Sequence, residues 1–96
     1  MTESFNNSIH YNLINNSDNH GIFLFSSSNN DISYNNISYC RNNCIYGLLS
    51  PYNIIDSNFV HNNGNTMNPA ILMDQSTIIS RNIIINNNHD FLPAIV

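Results

Sequence analysis

Three columns of residues run through this chain in step, and they limit what it can fold into more than any other feature. Ile9, Ile32, Ile55 and Ile79 form the first, Asn12, Asn35, Asn58 and Asn82 the second, and Ile14, Ile37, Val60 and Ile84 the third; all step by 23, 23 and 24 residues. The segments NSIHYNLI from Asn7, NDISYNNI from Asn30, NIIDSNFV from Asn53 and TIISRNII from Thr77 share the pattern Asn/Thr-x-Ile-x-x-Asn-x-Ile/Val. Asn supplies 22 of the 96 residues, so an Asn column alone would carry little weight. Two aliphatic columns locked to it through every copy do carry weight, and a fixed period in this range marks a solenoid.

The content of each copy decides which solenoid. Apolar residues are separated by short polar steps without a sustained helical rhythm, and alternation such as Ile22/Leu24 has strand period. Asn and Ser disfavour helix interiors, whereas Ile favours strands. Ile9 and Ile14 are spaced as two inward residues flanking a tight bend would be, and the Asn between them tolerates the left-handed backbone such a bend needs. We therefore expect an all-β chain, a right-handed parallel β-helix of about four coils of 23–24 residues, with residues 1–96 as one repeat region. Stacked about 4.8 Å apart, the coils would stand about 19 Å tall. Asn12, Asn35, Asn58 and Asn82 would form a ladder of side-chain amides bonded from coil to coil. The aliphatic columns would form a core that no coil can close alone.

A second block is expected to stack in the same way. Gly21-Ile22-Phe23-Leu24, Cys44-Ile45-Tyr46-Gly47, Asn68-Pro69-Ala70-Ile71 and Leu92-Pro93-Ala94-Ile95 fall at equivalent places if the preceding loop is one residue longer in the last two copies. In that register Gly47 stands where the other copies place Leu24, Ile71 and Ile95, and Leu48 is expected to fill the gap.

Composition narrows the function. Charged residues are 8% of the chain, and Arg41 and Arg81 are its only lysine or arginine residues. A phosphate backbone requires a basic face, so the composition argues against nucleic acid as a partner. No apolar run reaches the roughly 18 residues of a membrane span, and MTESFNNSIH lacks the basic flank and apolar core of a secretory signal. A hydrophobic content of 42% separates the chain from disordered tracts. Cys40 and Cys44 are too few for a disulfide framework or a structural zinc site, and are expected to pack as small buried residues.

With the columns in view, the chain resembles the NosD-like parallel β-helix repeat of the pectate-lyase-like right-handed β-helix superfamily. That repeat runs Asn-x-Ile-x-x-Asn-x-Ile, then a polar loop, then Gly-Ile-x-Leu. Asn7 to Leu24 and Asn30 to Leu49 follow it most closely, and later copies carry Pro-Ala-Ile in place of the glycine block. The resemblance implies the fold. The functions it suggests by analogy are diverse, because such repeats occur in copper-enzyme maturation proteins, polysaccharide lyases and hydrolases, and adhesin-like surface proteins. An extracellular or cell-surface setting is implied on the same grounds. The chain shows no amphipathic cap helix, so we expect a fragment or an incompletely capped solenoid that meets further coils, or other copies, at its open ends.

The chemistry-bearing residues are dispersed. Glu3, Asp18, Asp31, Asp56, Asp74 and Asp90 occupy different places in the repeat, although Asp56 shares a surface column with His10, Ser33 and Ser80. Polysaccharide cleavage would need clustered carboxylates or a basic residue acting on the sugar. His20, His61 and His89 lie in or beside the variable loop, in separate coils, and no metal site is expected from them. Tyr11 and Tyr34 share one column, where an aromatic ladder flanked by Asn and Ser would suit a sugar ring. Tyr39, Tyr46, Tyr52, Phe23 and Phe25 lie nearby in sequence. The expected function is a non-catalytic structural or adhesive module, without cofactor, whose partner is a polysaccharide or cell-surface glycan. The alternatives are a segment of a carbohydrate-active enzyme lacking its catalytic coils, and a copper-maturation accessory protein.

Overall fold

A computed structural model describes residues 1–63 and 68–85. Every regular element among them is a β-strand, and every strand pairing is parallel. Face A comprises β1 (Ser8–His10), β4 (Asp31–Ser33), β7 (Asn53–Asp56) and β10 (Thr77–Ser80). Face B comprises β2 (Leu13–Asn15), β5 (Asn36–Ser38), β8 (Phe59–His61) and β11 (Ile83–Ile85). Face C comprises β3 (Ile22–Phe25), β6 (Ile45–Leu48) and β9 (Ile71–Met73). The chain visits A, B and C in turn, so strands adjacent in space are one coil apart in sequence. The described residues form a parallel β-solenoid of three full turns and the first two strands of a fourth, where about four coils were expected. A parallel bridge from Thr2 to Phe25 starts face C one level before β3. No helix among the described residues is long and apolar enough to cross a membrane.

Strand alternation sets the core. Face A pairs Ile9 with Ile32, Ile32 with Ile55 and Ile55 with Ile79; face B pairs Ile14 with Ile37, Ile37 with Val60 and Val60 with Ile84. The middle members, Ile32, Ile37, Ile55 and Val60, are wholly buried, while Ile9, Ile14, Ile79 and Ile84 at the column ends are only partly covered. Burying each such aliphatic is worth roughly 1.5–3 kcal/mol, so the stack is held by its middle coils.

The bends follow one rule. Thirteen non-glycine residues have positive φ, and each is followed directly by Asn, Ser or Cys. The bend between A and B uses Tyr11, Tyr34, Ser57 and Arg81, with φ between 51° and 58°. The Asn column is therefore not the left-handed residue, contrary to the expectation; it stands one place later and does different work. Asn58 Oδ1 accepts from the Asn35 backbone N–H at 2.9 Å and from Asn35 Nδ2 at 3.1 Å, while Asn58 Nδ2 donates to the Ile32 carbonyl at 2.9 Å. Asn35 treats Asn12 and Ile9 identically, and Asn82 treats Asn58 and Ile55 likewise. Each amide thus satisfies backbone groups of the preceding coil that the bend removes from the strand ladder.

Three more ladders turn the other bends. Asn30 and Asn53 accept from the backbone N–H of Asn7 and Asn30 at 2.9 and 2.8 Å. Ser27 and Ser50 hydroxyls do the same for Ser4 and Ser27, both at 3.1 Å. In the last, Asn63 Oδ1 accepts from the Cys40 N–H at 2.7 Å.

Face C departs from the expected register. Ile45 pairs with Ile71, and Gly47 with Met73, 26 residues on. The preceding loop is three residues longer than in the first two coils and the following one is two shorter, so the period of 24 conceals two opposite changes. Met73, not Leu48, fills the space left by Gly47: a Cβ there would lie 2.6 Å from its Sδ. The Pro-Ala-Ile copy at Leu92-Pro93-Ala94-Ile95 lies outside the described residues.

Candidate ligand-binding surface

The bend rule also decides what the surface displays. The ladder residue turns inward, and the left-handed residue before it is left outside: Tyr11, Tyr34, Tyr39, Tyr52 and Leu49 are all at least half exposed. Four of the five tyrosines thus stand on bends, and only Tyr46 lies on a face.

Tyr11 and Tyr34 stack on the bend between faces A and B, with ring centroids 5.2 Å apart and planes 9° from parallel. Tyr11 is 76% exposed and Tyr34 50%. His10 lies edge-on to Tyr11 at 6.2 Å, and its Nε2 is 3.2 Å from the Asp31 carboxylate. The column continues through Ser57 to Arg81. Arg81 turns back to Asp56, with Nε 2.9 Å from Oδ1 and the second nitrogen 2.5 Å from Oδ2. Ser80 and Ser57 hydroxyls also donate to Asp56. These contacts, Arg81 first, hold the Asp56 carboxyl down at about 2.

The column containing Asp56 places His10, Ser33, Asp56 and Ser80 at successive levels of face A, but it is not the surface stripe expected, since Ser33 and Asp56 are buried. It does not bring a second carboxylate to Asp56. Asp31 instead follows Ser8 in the other outward column and accepts from Ser33 Oγ at 2.9 Å. Asp74, an exposed residue, receives the Leu49 N–H at 2.9 and 3.0 Å. Glu3 is itself a left-handed bend residue. Asp90 and His89 lie outside the described residues.

The other aromatic side chains sort by face. Phe23 stacks on Tyr46 at 5.4 Å on face C, with Phe25 at 6.5 Å and His20 at 5.4 and 5.0 Å from Phe23 and Tyr46. Burial lowers the His20 pKa. On face B, His61 stacks on Phe59 at 4.1 Å and its Nε2 meets Asn36 Oδ1 at 2.8 Å. Among the described residues no three histidine, cysteine or acidic side chains converge to hold a metal. Cys40 and Cys44 are buried free thiols, and desolvation pushes both pKa values upward.

One feature escaped the sequence reading. An open groove of about 360 Å³ runs along the bend between faces B and C, around Tyr39. Its signal was present: Ser17, Cys40 and Asn63 step by 23, and each follows a residue that the fold leaves outside. Comparison of the chain with family models, curated proteins and solved structures gives no match.

Proposed function

We propose that the chain is a non-catalytic structural module of adhesive type that binds glycan along the bend between faces A and B. The observation carrying this reading is the pair of parallel, solvent-facing rings of Tyr11 and Tyr34. A pyranose presents an apolar face of C–H groups that packs against an aromatic ring, and its hydroxyls need donors and acceptors around the rim. His10 and Asp31, both partly exposed, supply both on the adjoining strand edge. A non-catalytic role is supported by the carboxylates, since Asp56 and Asp74 are committed to partners that hold the solenoid together.

The test is to incubate the purified chain with a panel of oligosaccharides and follow both binding and product. Binding without new reducing ends or unsaturated ends, weakened by Tyr11→Ala and by Tyr34→Ala, is the expected result. Product formation would overturn the non-catalytic reading. Binding that both variants retain would overturn the placement of the site.

A further inference from the structure

The groove between faces B and C has different chemistry from the tyrosine pair. Its outer column is Asn16, Tyr39 and Asn62, with φ of 56°, 54° and 54°, so three equivalent bend residues project from successive coils. The middle one is a large ring and its neighbours are short amides. Tyr39 is 57% exposed, and among the described residues it packs on no other ring, whereas Tyr11 and Tyr34 each give one face to the other. The projecting ring between short neighbours is what makes the groove.

Asp18 and Arg41 complete the lining. Neither makes an ion pair among the described residues, in contrast to Arg81, which is committed to Asp56. The floor is fixed: the Cys40 N–H donates to Asn63 Oδ1 at 2.7 Å, the Arg41 N–H to the Ser17 carbonyl at 3.0 Å, and Ser17 Oγ to the His20 carbonyl at 2.6 Å. A site whose backbone is already held loses little freedom on binding.

We propose that this groove binds one neutral pyranose residue, stacked on Tyr39 and held through its hydroxyls by Asn16, Asp18, Arg41 and Asn62. Each sugar hydroxyl donates and accepts. The lining offers a carboxylate that only accepts, a guanidinium that only donates, and amides that do both. Planar groups of this kind grip adjacent hydroxyl pairs. The single negative and single positive charge cancel, which selects a neutral ring over a uronate or a phosphate. The volume is at the small end of the range for small-molecule sites, enough for one ring and not for an extended chain. This proposal shares the ligand class of the glycan reading but not its site, since Tyr39 and Tyr34 lie at opposite ends of β5.

The experiment is a nuclear magnetic resonance titration of the ¹⁵N-labelled full chain with methyl glucopyranoside, methyl galactopyranoside, methyl galacturonate and inorganic phosphate. We expect at least one neutral glycoside to shift the amides of residues 16–18, 39–41 and 62 while the two anions do not. Tyr39→Asn, which installs the residue its own column already uses, and Arg41→Gln should each weaken that binding by about fivefold or more. Both positions are on the surface, and unchanged amide shifts elsewhere will show that the fold is retained. Tyr11→Ala and Tyr34→Ala should leave this binding unchanged. Shifts confined to the Tyr11–Tyr34 bend would overturn the groove and leave the glycan reading standing. Equal or stronger response to galacturonate or phosphate would overturn the neutral-sugar assignment, and no response to either neutral glycoside would overturn the proposal.

Discussion

Consider Asn58 replaced by alanine. Its side chain is 1% exposed and joins three coils: it accepts from the Asn35 N–H, donates to the Ile32 carbonyl, and donates to Asn82 Oδ1 at 3.0 Å. Alanine strips the Asn35 N–H and the Ile32 carbonyl of these partners inside the solenoid. Each buried backbone group left unsatisfied costs about 1–3 kcal/mol, so the substitution should cost about 2–6 kcal/mol. Domains of this size are stable by only about 5–15 kcal/mol. The variant should therefore lose a large part of its stability. Urea unfolding followed by far-UV circular dichroism measures it, as a lower midpoint at unchanged slope. Asn15→Ala, at the exposed end of β2, is the control and should stay within about 0.5 kcal/mol of the parent. If Asn58→Ala cost less than about 1 kcal/mol, the amide ladder would not be what satisfies the bends.

Four further outcomes follow from the same geometry. Gly21→Ala should cost about 1–3 kcal/mol, because its Cβ would meet the Cys44 carbonyl at 2.7 Å, Ile37 at 2.8 Å and Cys40 Sγ at 2.9 Å; Gly47→Ala should cost less, since the obstructing Met73 is a flexible side chain, and urea midpoints will rank them. Leu49→Asn should raise stability by about 1 kcal/mol in the same assay, because Leu49 has φ 53° and Asn tolerates that region. Asp56 is held at about 2 against an ordinary 3.8, with the Arg81 hydrogen bonds the largest cause, so its contribution is complete above pH 3.8 and lost as pH falls through 2; unfolding measured across that window should be less pH-dependent in Arg81→Gln. Cys40 and Cys44 should resist iodoacetamide in the folded chain and react once urea unfolds it, as intact-mass spectra will record, because both thiols are buried with raised pKa values.

Much of the fold was legible because the features that gave it away are redundant. Two aliphatic columns and the Asn column repeat on faces A and B without insertion until the third turn, so any one copy corrects the others. On face C that redundancy fails. A loop longer by three followed by one shorter by two leaves a net change of one, which the face A and B columns cannot distinguish from a single insertion. Pro69-Ala70-Ile71 matches a later Pro-Ala-Ile copy and so points to the wrong register, whereas Met73 fits the space left by Gly47. Volume complementarity across a coil is a three-dimensional fact, and spacing alone does not carry it.

The misplaced bend has a more general cause, and it explains why the candidate sites were half visible. Asn is the residue most often credited with left-handed backbone, so the sequence points to Asn12 for the turn that Tyr11 makes. Here the backbone is set by the ladder: an inward amide or hydroxyl anchored to the previous coil fixes where the chain must fold back, and the residue before it accepts positive φ whatever its type, whether Tyr, Leu, Ser or Arg. That residue's side chain has nowhere to go but outward. The same rule that builds the bend therefore chooses the surface positions, and the rings of both proposed sites stand one place before an inward residue in the ladder register. Tyr11 and Tyr34 were found because they share a column with each other. Tyr39 shares its column with Asn16 and Asn62, so no aromatic repeat marked it, and only the inward ladder of Ser17, Cys40 and Asn63 identifies it as the equivalent position.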